Sequence, residues 1–185
     1  IHTLFSLYSL SRKQQDIMCN MCFMPSSGIS ARIFSKWLEL PTLNDVNDLI
    51  ETGFVQSSLR HTISLHPMIQ EIAVSETAPS VTSCHTLLDS LQKICLMHGT
   101  EVSYYKKLFQ TVGNILRMIE KDNLTKYLLF LEDVFPYMEK YRYRKGTKEI
   151  ILEMKQLLKD NENSAVTDCF IPMTAFPRST IMLPY

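Results

Sequence analysis

Apolar residues in this chain recur mostly at steps of three and four, the period of helices that bury one face, apart from one short interval with the period of strands. Ser11 stands where an N-cap is wanted. After it Gln14, Ile17, Met18, Met21 and Cys22 predict an amphipathic helix that stops before Pro25. Pro25-Ser26-Ser27-Gly28 is turn chemistry, and beyond it Ile29, Ile33, Phe34, Trp37 and Leu38 share a second helical face that ends at Leu40-Pro41. Asn44 is read as the cap of a third helix with Val46, Leu49 and Ile50 pointing inward. Gly53 offers the left-handed residue that closes it.

Two β-prone runs follow, Phe54-Val55-Gln56 and Thr62-Ile63-Ser64-Leu65, and the polar residues between them predict a hairpin. Pro67 fits the first position of a further helix carrying Met68, Ile69, Ile72 and Ala73, because proline lacks the amide that this position would leave unpaired. Three helices, a hairpin and a helix predict a winged helix-turn-helix with a small β-hairpin wing over residues 1–78.

Small polar residues and Pro79 make Ser75 to Ser83 read as a linker, with a boundary near Ala78. Residues 79–160 then carry four stronger helical patterns. The first runs from Cys84 to His98, closed by Gly99, and the second from Ser103 to Ile119. The third, Leu124 to Met138, contains Pro136 and should kink there; Ile150, Ile151, Met154, Leu157 and Leu158 mark the fourth. Short connections predict antiparallel hairpins, so the mainly α chain ends in a repeat-like helical array without a tetratricopeptide signature. In residues 161–185 the period fails among Pro172, Pro177 and Pro184, which predicts an irregular tail.

Composition adds exclusions. A chain of 185 residues, 45% hydrophobic and 21% charged, should fold as a globular protein of one or two small domains. Lys plus Arg equals Asp plus Glu at 19 each, so no overall field attracts a polyanion. The five scattered cysteines read as reduced and cytoplasmic, and no apolar run is long enough to span a membrane. Cys19-Asn20-Met21-Cys22 has the spacing of a redox or zinc site, yet no second pair follows; buried core cysteines are the simpler reading. The start, Ile1-His2-Thr3, has neither an initiator Met nor a signal sequence and reads as the middle of a longer polypeptide.

Motifs for catalysis are missing: the sequence contains no P-loop, nucleophile elbow, zinc-protease helix or dinucleotide glycine run. A DNA-binding regulator with a helical sensor is the alternative that a winged helix invites. Against it, the third helix offers Asp45, Asp48 and Glu51 and no basic residue, leaving Arg32, Lys36 and Arg60 on other elements to meet a phosphate backbone. Of the dispersed histidines His2, His61, His66, His85 and His98, only His66 stands at a strand-to-helix junction, where a helix N-terminus favours negative charge. There it could bind a phosphate, or it could cap the helix.

The stretches Leu10 to Pro25, Gly28-Ile29-Ser30-Ala31-Arg32-Ile33-Phe34, Asn44 to Gly53 and Ile63-Ser64-Leu65-His66-Pro67-Met68-Ile69-Gln70-Glu71 resemble the winged-helix domain of bacterial NB-ARC proteins, STAND-class signalling ATPases. The resemblance covers about the first seventy-five residues. It implies that Leu65-His66-Pro67 corresponds to the family's Met-His-Asp-like motif, whose histidine touches the β-phosphate of ADP and holds the closed state; Pro67 replaces the acidic residue. It further implies an upstream P-loop ATPase module as partner, ADP or ATP held mainly there, protein partners on the helical array, and no ATP hydrolysis by these residues alone.

Overall fold

The computed structural model describes residues 7–59, 61–97 and 102–160. Arg60, the Gly99 helix end and the predicted tail at 161–185 lie outside the described residues. The elements are α1 (Arg12–Met21), β1 (Ile29–Ser30), α2 (Ala31–Trp37), α3 (Asn44–Glu51), β2 (Gln56–Ser57), β3 (Thr62–Ser64), α4 (Pro67–Thr77), α5 (His85–Leu96), α6 (Val102–Met118), α7 (Leu124–Lys140) and α8 (Arg144–Asp160). The protein is mainly helical with one small antiparallel sheet in the order β1-β3-β2.

The predicted helix starts have visible causes. Ser11 and Gln14 form a reciprocal cap: the Gln14 N–H donates to Ser11 Oγ at 3.3 Å and the Ser11 N–H to Gln14 Oε1 at 3.0 Å. Gly53 adopts φ +81° after α3, as the sequence predicts. Asn44 is not the cap of α3 but its first residue, following Leu43, and its N–H donates to Thr42 Oγ1 at 3.4 Å. α7 continues through Pro136 to Lys140 as one span.

Two stretches differ from expectation. Ile29 belongs to a strand rather than to the second helix: after the turn closed by the Gly28 N–H on Pro25 O at 2.8 Å, Ile29 pairs with Ile63 and Ser30 with Thr62. A two-residue strand finds its hydrogen bonds across the sheet and leaves no periodic trace, so helical spacing absorbed it. The hairpin partner β2 is equally short, with Gln56 opposite Ser64 and Ser57 opposite Ile63.

The stretch 75–83 is not a loose spacer. Residues 75–77 complete α4, Ala78 turns left-handed at φ 42°, and the next four residues are fastened to the connection between α6 and α7. The Glu120 N–H donates to Pro79 O at 2.9 Å and the Val81 N–H to Glu120 O at 3.0 Å. Asp122 accepts from the Ser80 hydroxyl at 2.9 Å and from the Thr82 N–H at 3.1 Å. Desolvation opposes ionisation of Asp122, but hydrogen bonds from Thr82, Ser80 and Val81 hold its carboxyl below the usual range. Small polar residues here are bonding partners, a use that composition cannot distinguish from solvation.

Packing joins what lies on either side of Ala78. α1 rests on α3 and α4, α2 touches α5, α5 lies on α7, and α8 packs on α6 and α7. Tyr105, Phe109, Tyr137, Tyr141 and Tyr143 form an aromatic cluster, with ring centroids of Phe109 and Tyr143 5.0 Å apart. The buried side chains make one continuous core from Leu7 to Met154. Its centre of attachment is the end of α1, where Ile17 through Pro25 are all buried. There the Gln70 side-chain amide donates to Cys22 O, and that of Asn114 to Phe23 O at 2.9 Å.

The two left-handed glycines separate strain from collision. A Cβ at Gly53 would meet nothing within 4 Å, whereas one at Gly28 would collide with the Thr62 side chain and press on Ile63 O at 3.0 Å. Gly53→Ala should cost about 1 kcal/mol, the left-handed penalty alone, and Gly28→Ala about 2–4 kcal/mol because overpacking against β3 is added. Urea unfolding of the two variants checks the order; equal losses would contradict it.

Candidate functional site

His66 ends the path from β3 to α4. Leu65 before it is buried and Ile69 after it is buried, so both flanks are anchored while His66, Pro67 and Met68 are exposed. His66 is the N-cap residue at φ −63° and ψ 140°, and its Nδ1 accepts from the Met68 N–H at 3.3 Å. Its carbonyl receives the first intrahelical bond, from the Gln70 N–H at 2.9 Å. Capping therefore occupies Nδ1 with a lone pair, which puts the ring proton of the neutral imidazole on Nε2.

This geometry narrows what an anion could meet. A helix start presents four N–H groups without intrahelical partners. Pro67 has none to give, and that of Met68 is already taken by the ring. The side-chain donor that remains on His66 is Nε2–H, so a phosphate here would meet the imidazole together with the Ile69 N–H of the first turn, the helix end adding partial positive charge. The cap and the phosphate reading are compatible because they use different nitrogens.

The acidic face predicted for the third helix is present. Val46 and Leu49 of α3 are buried, and Asn44, Asn47, Asp48 and Glu51 are exposed. Arg32 and Lys36 are exposed on α2, and Arg32 lines a cleft of about 490 Å³ with Asn47, Ser57 and His61. The other described histidines do not join His66: His85 bonds Thr82 O at 3.0 Å, and His61 takes a left-handed φ of 54° in the hairpin loop. Among the described residues no three His, Cys, Asp or Glu side chains group as metal ligands. No helix among them is long and apolar enough to cross a membrane.

The cysteines are rearranged by the fold. Cys22 donates its S–H to Met18 O at 3.2 Å, and burial, with a smaller effect of Cys19, pushes its thiol up to about 12. Cys19 instead meets Cys84, sulfur to sulfur at 3.5 Å, with Ser83 Oγ 3.8 Å away. The bond from Cys84 outweighs burial and, helped by the Thr77 and Ser83 hydroxyls, lowers the Cys19 thiol to about 7. The same bond and burial push Cys84 upward. No sequence spacing announces a pair 65 positions apart.

A second cleft, about 380 Å³, lies where the turn after α1 faces α6 and α8. Gln70, Asn114, Arg117, Lys145 and Glu149 line it, and the first two are the side chains that bond the carbonyls after α1. Compared with protein-family models, curated proteins and solved structures, the chain matches none.

The cap is testable by itself. His66→Ala should lose about 0.5–2 kcal/mol of stability, and His66→Asp, an equally good N-cap, should retain it. Thermal melts of both variants decide; equal stability in the alanine variant would show that the Met68 bond contributes nothing.

Proposed function

We propose that these residues are the winged-helix and helical-array part of a nucleotide-dependent signalling switch of the NB-ARC, STAND type, with His66 reading the phosphate of bound ADP. The observation that carries the reading is the exposed His66 cap, whose Nδ1 is engaged and whose Nε2–H is left as the donor. The chain order α1, β1, α2, α3, β2, β3, α4 supports it, because a winged helix is built from the same succession. ADP or ATP would be held mainly by a P-loop module of the same polypeptide, and these residues would bias the closed state rather than hydrolyse ATP. Protein partners would dock on the array, where Leu129 of α7 and Leu152 of α8 are exposed.

One hydrogen bond to a charged phosphate contributes about 1.5–3 kcal/mol, a factor of about ten to a hundred in affinity. His66→Asp separates this role from capping, since its carboxylate caps the helix yet repels the phosphate. In the full-length polypeptide with its P-loop module, His66→Asp should weaken ADP at least about tenfold by fluorescent-nucleotide titration while the melting temperature holds. Undiminished ADP affinity in that variant would overturn the assignment.

A rival reading, a DNA-binding regulator with a helical sensor, rests on exposed Arg32 and Lys36. Asp48 and Glu51 oppose it, since they line the exposed face of the helix that would enter the groove. Gel-shift titrations with genomic fragments at low and physiological salt should give no retarded band. A salt-sensitive, sequence-specific shift would favour the regulator.

A further inference from the structure

We propose that Cys19 and Cys84 are a peroxide-responsive dithiol, which closes into a disulfide and locks α1 to the start of α5. The two sulfurs already touch at 3.5 Å, in a chain whose cysteines are all unpaired among the described residues. Access is unequal. Cys19 lines a cleft of about 200 Å³ with Asp16, Glu76, Thr77 and Ser83, while Cys84 lies behind it, fully buried. A solute entering that cleft meets Cys19 first, and Cys84 is within reach of whatever forms there.

The surroundings select the oxidant. Asp16 and Glu76 carboxylates at the cleft repel anionic disulfides, and the small volume excludes bulky ones, which leaves a small neutral hydroperoxide. The Ser83 hydroxyl lies within 3.8 Å of both sulfurs and can donate to the Cys19 thiolate. In the first step the Cys19 thiol gives up its proton and the thiolate attacks one peroxide oxygen; the O–O bond breaks, the leaving hydroxide or alkoxide takes up a proton to become water or an alcohol, and Cys19 becomes a sulfenic acid. In the second, the Cys84 sulfur attacks the sulfenic sulfur, the S–O bond breaks, and the hydroxyl leaves with the Cys84 proton as water. Two thiols lose two electrons in all, and one peroxide gains them.

Cys22 is left out by geometry, not by distance along the chain. Its S–H is committed to Met18 O at 3.2 Å, and its side chain is fully buried. The C-x-x-C spacing thus marks one member of the pair and misnames the other. The consequence is mechanical: the new bond would close the 65-position loop between Cys19 and Cys84, which contains α2, α3, the sheet and α4. A bond at this place would oppose any motion that separates α1 from α5.

Hydrogen peroxide titration of the purified chain tests this, followed by peptide mapping without reduction. The first product should be a Cys19–Cys84 disulfide, the thiol titre falling from five to three, reversible by dithiothreitol. The melting temperature should rise by about 5–10 °C on closure. Cys84→Ser should stall at a Cys19 sulfenic acid, trapped by dimedone added with denaturant, and Cys22→Ser should leave the disulfide intact. The idea fails if the first disulfide joins Cys19 to Cys22, or if closure leaves the melting temperature unchanged or lower. It fails equally if exposed Met97 is oxidised while Cys19 and Cys84 stay reduced.

Discussion

A helix that ends inside a protein must find donors for its last carbonyl groups, and α1 ends inside this one. Ile17 through Pro25 are buried without interruption, so water cannot serve those carbonyls. The chain supplies what it can locally: the Cys22 N–H and S–H go to Met18 O, the Phe23 N–H to Asn20 O and the Met24 N–H to Met21 O. Just past the helix, Cys22 O and Phe23 O are met from far along the sequence by the amides of Gln70 on α4 and Asn114 on α6. A buried carbonyl left alone costs about 1–3 kcal/mol, more than either bond contributes when made. The end of α1 therefore dictates where both α4 and α6 must lie.

From that constraint the rest of the arrangement follows. Gln70 lies one turn after His66, so the residue that fixes α4 against α1 also sets where the exposed cap is presented. Asn114 brings α6 to the turn after α1, and Lys107 of the same helix reinforces the contact by donating to Ser27 Oγ at 2.6 Å. The beginning of α5 is tied separately, through residues 79–82 and Asp122, to the connection between α6 and α7. α6 is thus held to the turn after α1 by Asn114 and Lys107, and α5 to α2 by packing and to Glu39 by Lys93, which is why the core runs on past Ala78.

How much of this could be read in advance depended on where the cause was stored. Ser11 with Gln14, Pro67, and Gly53 carry their structural reason within three or four residues, and the sequence displays all three. Apolar spacing located α5 through α8, since each buries a broad face. β1 leaves no trace in the sequence because two residues give no alternation, and Gly28, at φ 75°, is the local sign of a reversal. The fastening of residues 79–82 and the approach of Cys19 to Cys84 depend on partners 40 and 65 positions away. His66 falls between: its place at the junction is legible, but which ring nitrogen faces the Met68 N–H depends on the folded backbone.

On the proposed reading as a switch, this architecture determines how a signal could travel. A hinge at Ala78 would have to break what crosses it: the bonds of Asn114 to Phe23 O and Met24 O, that of Lys107 to Ser27, the Lys93–Glu39 ion pair, and the core shared by the helices on either side. Those bonds at about 1 kcal/mol each, with the shared apolar core exposed as well, exceed the roughly 1–3 kcal/mol that allosteric coupling commonly supplies. Movement would then be a rigid rotation of α1 through α8 as one body, and a ligand on the helical array would reach His66 by carrying it away from the nucleotide. In such a body the natural place to adjust coupling is the seam itself, and there the two sulfurs sit.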